Sequence, residues 1–164
     1  MIKAGKCKVW VLVPGLFLIF VLLVPVLILL GYYMASRPHV LLVREVNSGR
    51  ELRVGYLNQG EKFEIRYMHS VDRLPVYEEF QLINGELVLT GTRFLSFGAG
   101  LGYTGEGLLR GEGKWNIIEG MYRRVDSLPL RVGTIADHTL LYRGREIHLG
   151  DHFDGQALVR IEVK

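Results

Sequence analysis

The sequence predicts a mainly β domain, an antiparallel β-sandwich or barrel-like fold, set behind one N-terminal transmembrane helix. Three observations carry this expectation. No charged side chain occurs from Val9 to Met34. Beyond Pro38 the chain breaks into short β-branched and aromatic runs separated by Gly, Asn and Pro, the pattern of successive antiparallel strands. Asn84-Gly85 and Arg143-Gly144 sit between such runs, where a tight hairpin turn needs positive φ.

Residues 9–34 are longer than the ~20 residues that cross a hydrocarbon core. A soluble core helix would not stay apolar on every side for that length. Lys3, Lys6 and Lys8 precede the segment without an acidic neighbour, and the remaining 17 basic residues are balanced by all 17 acidic ones. The formal +3 charge therefore belongs to residues 1–8, read as a cytoplasmic basic flank. The expected placement is a single span in the cytoplasmic (inner) membrane, N-terminus inside, with residues 37–164 on the extracytoplasmic side. A cleaved signal peptide is the rival reading. The apolar run exceeds the usual ~7–15 residues and lacks a small-x-small cleavage site, which favours retention. Cys7 is the single cysteine, so no internal disulfide forms. A domain with balanced charge argues against nucleic-acid binding.

The expected strands are Val40–Val46, Leu52–Leu57, Lys62–His69, Val76–Ile83, Glu86–Thr90, Arg93–Phe97, Leu128–Val132, Thr139–Tyr142, Glu146–Leu149 and Ala157–Val163. Trp115–Arg124 is the one stretch read as a short helix.

Alternation along these runs singles out three inward ionisable residues. Phe63, Ile65 and Tyr67 share a face that His69 continues, and Glu78 interrupts the apolar series Val76, Phe80, Leu82. With Ser70–Pro75 as the loop, Tyr67 pairs with Glu78 and His69 with Val76, which makes His69 and Glu78 diagonal neighbours. In the second hairpin His138 falls opposite Leu149, on the face of Leu140 and Ile147. A carboxylate on an apolar face needs a partner, and His69, Tyr67 or an arginine can serve Glu78. The bland reading is a buried structural hydrogen bond; a small-molecule pocket and acid–base catalysis are the others.

Other motifs carry less. Ser70 adjoins His69 and so faces the opposite side of a strand, and no Gly-x-Ser-x-Gly elbow supports a nucleophile. His148 and His152 have a zinc-helix spacing, but Gly150 lies between them and the stretch reads as a strand end. The run from Phe97 through Gly98, Gly100, Gly102, Gly105 and Gly107 hints at a phosphate loop, yet no Lys-Ser/Thr pair closes it. It is expected to be a loop that needs positive φ or close backbone approach. No cofactor or metal is expected.

The run Tyr67-x-His69-Ser70-Val71-x-x-x-Pro75-Val76-x-Glu78 resembles the hallmark of an uncharacterised bacterial family, a domain of unknown function. Phe97-Gly98-Ala99-Gly100-Leu101, Leu130-Arg131-Val132-Gly133 and the His138-to-Gly144 hairpin fit the same pattern, over roughly Val40 to Val163. Relatives often carry Pro after the Gly100-Leu101 position, where this chain has Gly102. The resemblance implies a short protein with one N-terminal span, encoded beside TRAP-type solute transporters of the TAXI class. It implies an accessory role with transporter membrane subunits or a binding protein as partners. The family has no established catalytic residues, so His69, Ser70, Pro75 and Glu78 carry over as motif positions only. The leading expectation is a non-enzymatic binding module near the membrane. An enzyme using Glu78 and His69 as an acid–base pair, and a purely structural scaffold, are the alternatives.

Overall fold

The computed structural model describes residues 12–35, 38–98 and 102–164. Two units separate along the chain, Met1–Arg37 and Pro38–Lys164. The basic flank with Lys3, Lys6 and Lys8, and Cys7, lie outside the described residues.

In the first unit, helix α1 (Leu12–Ala35) is 24 residues long, contains Pro25, and carries no charged residue. Its described apolar side chains are exposed on all sides, among them Phe17, Phe20, Leu27, Ile28 and Leu29. Over residues with described side chains, whose longest unbroken run in the helix is 17–33, no helix is long and apolar enough to cross a membrane. The backbone helix extends beyond that run at both ends.

The second unit holds eleven strands: β1 (His39–Glu45), β2 (Glu51–Leu57), β3 (Lys62–Met68), β4 (Pro75–Ile83), β5 (Glu86–Phe94), β6 (Leu108–Glu112), β7 (Trp115–Val125), β8 (Leu128–Arg131), β9 (Thr139–Tyr142), β10 (Arg145–His148) and β11 (Leu158–Val163). They form a four-stranded sheet, β2-β1-β11-β8, and a seven-stranded sheet, β10-β9-β3-β4-β5-β7-β6. All pairings between them are antiparallel. The architecture is a β-sandwich, with free edges at both ends of each sheet, rather than a closed barrel.

Its core follows from alternation. Leu41, Val43, Val159 and Ile161 of the small sheet and Phe63, Ile65, Val76, Phe80, Leu82 and Leu140 of the large one are buried in a single cluster. Phe63 and Phe80 stack with ring centroids 5.4 Å apart. Burying each such side chain contributes about 1.5–3 kcal/mol. Both expected hairpin turns form: Asn84 and Gly85 take φ 52° and 80°, and Arg143 and Gly144 take 50° and 71°. Four positive φ values in two-residue loops match the right-handed twist of the flanking strands.

Three sequence expectations are corrected. Glu86–Thr90 and Arg93–Phe97 are one strand, β5, because a register shift between Leu89 and Gly91 absorbs the break in alternation. Trp115–Arg124 is strand rather than helix. Ile117 and Ile118 favour an extended backbone, Gly120 takes φ 71°, and β5 and β6 both pair with this stretch. The expected strands pass over Leu108–Glu112, which lies just beyond the glycine-rich run and, with Gly111 inside it, forms the edge strand β6.

Candidate functional site

The β3–β4 hairpin sets the geometry of the inward residues. The observed register pairs Met68 with Pro75, Tyr67 with Val76, Ile65 with Glu78 and Phe63 with Phe80. This is two residues tighter than the expected pairing of Tyr67 with Glu78. Each residue keeps its face, because a two-residue shift preserves parity, but the neighbours change. The loop shortens because the His69 amide donates to the Leu74 carbonyl (2.9 Å), continuing the ladder, and Arg73 turns the chain with φ 52°. His69 and Glu78 are therefore not diagonal neighbours: His69 lies four residues, about 14 Å along the strand, from the level of Glu78.

Glu78 sits on the inner face between Ile65 of β3 and Thr92 of β5. The Tyr67 hydroxyl donates to its Oε1 over a long 3.4 Å. Burial pushes the Glu78 carboxyl above its ordinary value, opposed by the Tyr67 bond and by attraction to Arg123. Burial, then the neighbouring Glu78 charge, raises the Tyr67 phenol as well. The Tyr67 ring in turn lies against His138, centroids 5.7 Å apart. Burial lowers the His138 pKa, with Asp137 opposing, and its Nδ1 is buried without a hydrogen-bond partner among the described residues. Tyr67 thus joins Glu78 and His138 into one polar strip across an apolar face. Burial disfavours the charged form of all three groups: it raises the proton affinity of the Glu78 carboxyl and the Tyr67 phenol and lowers that of the His138 imidazole. The second-hairpin register is the expected one, with Leu140 opposite Ile147 and the Leu149 amide bonded to the His138 carbonyl at 2.9 Å.

His69 belongs to a different constellation. Its Nδ1 accepts the Asp72 amide (3.4 Å) and lies 3.5 Å from Asp72 Oδ2. The Asp72 carboxylate presses against the Cα of Gly98, where a Cβ would collide with it. Gly98 is required for close approach, which ties the glycine-rich loop to the β3–β4 turn. Ser70 is exposed in that turn, and Pro75 opens β4 opposite Met68. Gly100 lies outside the described residues.

On the far hairpin, Asp137 Oδ1 (3.0 Å) and Thr139 Oγ1 (3.2 Å) both engage His148 Nδ1. The Asp137 bond raises the His148 pKa. Among the described residues no group of three or more His, Cys, Asp or Glu is arranged to hold a metal ion.

Two features escaped the sequence reading. The partner of His69, Asp72, lies inside the stretch read as an irregular loop. A cavity of about 700 Å³ opens on the outer face of the large sheet, lined by Glu79 and Arg93 rather than Glu78. The signal for it was the opposite parity of β3, β4 and β5, where Lys62, Glu64, Tyr77, Glu79 and Arg93 alternate with the core residues.

Fold and site together define a β-sandwich domain with a buried carboxyl strip and a clasped loop. The chain belongs to the family described as a domain of unknown function (DUF1850), whose model matches residues 63–149, more than half of the chain. That span runs from β3 through β10 and contains Tyr67, His69, Glu78 and His138. No curated protein and no solved structure matches the chain.

Proposed function

We propose that this chain is a single-pass, membrane-anchored domain on the extracytoplasmic side of the inner membrane. There it serves as a non-enzymatic accessory of a TAXI-class TRAP-type solute transporter. Helix α1 is the observation that carries the anchoring: 24 residues without a charge give about 36 Å of helix against a hydrocarbon core of about 30 Å. Apolar side chains exposed all round suit lipid as their surroundings. The lysines at positions 3, 6 and 8 support an inside N-terminus. The transporter partnership draws on the family resemblance. Purifying the full chain in mild detergent, with the membrane subunits of the transporter co-expressed, tests it directly. Co-elution and reduced uptake on deletion are expected. A chain that elutes alone, with uptake unchanged on deletion, removes the transporter role.

A second reading, acid–base catalysis, draws on the raised pKa of Glu78. Its partner would be Tyr67, since His69 is engaged with Asp72. In that case Glu78→Gln abolishes turnover and leaves the fold intact.

A further inference from the structure

The face of the large sheet that points away from the core is organised in rows. Cross-strand pairing places Glu64 opposite Glu79, Glu79 opposite Gly91, and Gly91 opposite Glu119. Two residues along each strand, the neighbouring row pairs Arg66 with Tyr77, Tyr77 with Arg93, Arg93 with Ile117 and Ile117 with Arg110. One row is acidic and the next is basic, separated by about 7 Å along the strand. Like charges directly opposite one another destabilise a sheet, and each acid here is answered from outside its row. Lys62 Nζ reaches Glu79 at 2.9 Å, Arg93 reaches Glu64 at 3.2 Å, and Arg110 reaches Glu119 at 2.7 Å.

These side chains wall the 700 Å³ cavity, a size usual for small-molecule sites. Its floor is Gly91, the one member of the acidic row without a side chain. A Cβ there would lie 3.0 Å from the Ile118 carbonyl, so the hollow is built into the sheet. Arg93 is held in place: its guanidinium carbon stands 4.0 Å from the Tyr77 ring centroid and 5.7 Å from that of Trp115. Met121 adds an apolar element to the lining.

We propose that this groove binds a small zwitterionic solute with a short hydrocarbon middle. Its carboxylate faces Arg93 and Arg110, and its ammonium faces Glu79 and Glu119. A ligand of one sign meets repulsion either from the three cations of the lining, Lys62, Arg93 and Arg110, or from its four acids, Glu64, Glu79, Glu112 and Glu119, whereas a zwitterion exchanges one set of ion pairs for an equivalent set. The exchange costs little, because exposed ion pairs are individually weak. The groove lies on a different face from the Glu78 strip and does not depend on the membrane reading, so it can fail while transporter co-purification succeeds, and the reverse.

The test is a titration of the full chain in detergent, followed by calorimetry and by backbone amide shifts. The probes are ε-aminocaproate, the dianion glutarate and the dication cadaverine. Saturable binding of ε-aminocaproate at millimolar concentration is expected, with the largest shifts at Gly91 and Arg93 and no saturation by the single-signed probes. The double variant Arg110→Gln/Glu119→Gln alters two exposed side chains and is expected to weaken binding about fivefold. Gly91→Ala fills the floor and weakens it further. The proposal is overturned if glutarate or cadaverine binds as well as ε-aminocaproate. Absence of saturable binding overturns it too, as does unchanged affinity in the folded double variant.

Discussion

Two glutamates of this domain stand in opposite physical circumstances. Glu61, in the turn before β3, receives Arg143 Nε at 2.6 Å and Nη2 at 2.9 Å, the Asn58 amide at 2.9 Å, and the Tyr142 hydroxyl at 3.0 Å. The Arg143 bonds dominate and lower its pKa to about 2. Glu78 is more deeply placed and has a single long bond from Tyr67, and burial raises its pKa. The first carboxylate fastens the β2–β3 turn to the β9–β10 turn as a charge. The second is retained on an apolar face where no described cation forms an ion pair with it. Charge in this domain is structural at the rim and held back at the core. A structural role explains Glu61 fully, whereas Glu78 accepts one hydroxyl against the cost of its burial.

The largest effect should come from reversing the core charge. Glu78→Lys places an ammonium against Ile65, Thr92 and Tyr67 and is expected to cost about 3 kcal/mol or more in urea denaturation. Glu78→Gln should stay within about 1 kcal/mol, because an amide still accepts the Tyr67 bond. Equal losses in both would show that Glu78 is needed as an anion, which breaks the contrast with Glu61. Next in size, Glu61→Ala should lose about 1 kcal/mol, discounted for the exposure of its arginine partner. Tyr67→Phe leaves the buried Glu78 carboxyl without its donor, at a cost of about 1 kcal/mol.

The two groups also predict opposite pH limbs, which stability measured across pH can separate. Glu61 is depressed in the folded state, so its contribution is present above the ordinary value of 4.5 and is lost as pH falls toward about 2. Glu78 is raised, so the folded state binds the extra proton and stability declines as pH rises above 4.5. Glu61→Gln should flatten the acid limb alone, and Glu78→Gln the upper limb alone. The smallest effect belongs to the outer face: Lys62→Gln removes an exposed ion pair with Glu79 and should change stability by about 0.5 kcal/mol or less.

Much of this was legible in the chain. Asn84-Gly85 and Arg143-Gly144 located two hairpins, because few residues accept positive φ at both turn positions. The inward setting of Glu78 and His138 followed from parity, which survives a register error of two. The same error misplaced His69, because whether Ser70–Pro75 closes loosely or through the His69–Leu74 bond is settled by local bonding that alternation does not record. β7 was missed because Gly120, at φ 71°, and several charges hide its period, and only its partners β5 and β6 hold it extended.

By itself the sequence determined a long uncharged segment, a β domain after it, and the face of every residue in the well-patterned strands. These are properties of composition and period, which are local. Which acid meets which base was decided by the tertiary structure alone. Glu78 with Tyr67, His69 with Asp72 against Gly98, and Glu64 with Arg93 each join residues through register, bulges and close approach. His69 and Asp72 are three residues apart, but their closure against Gly98 and the other two pairings exist only once the strands and the loops between them lie side by side.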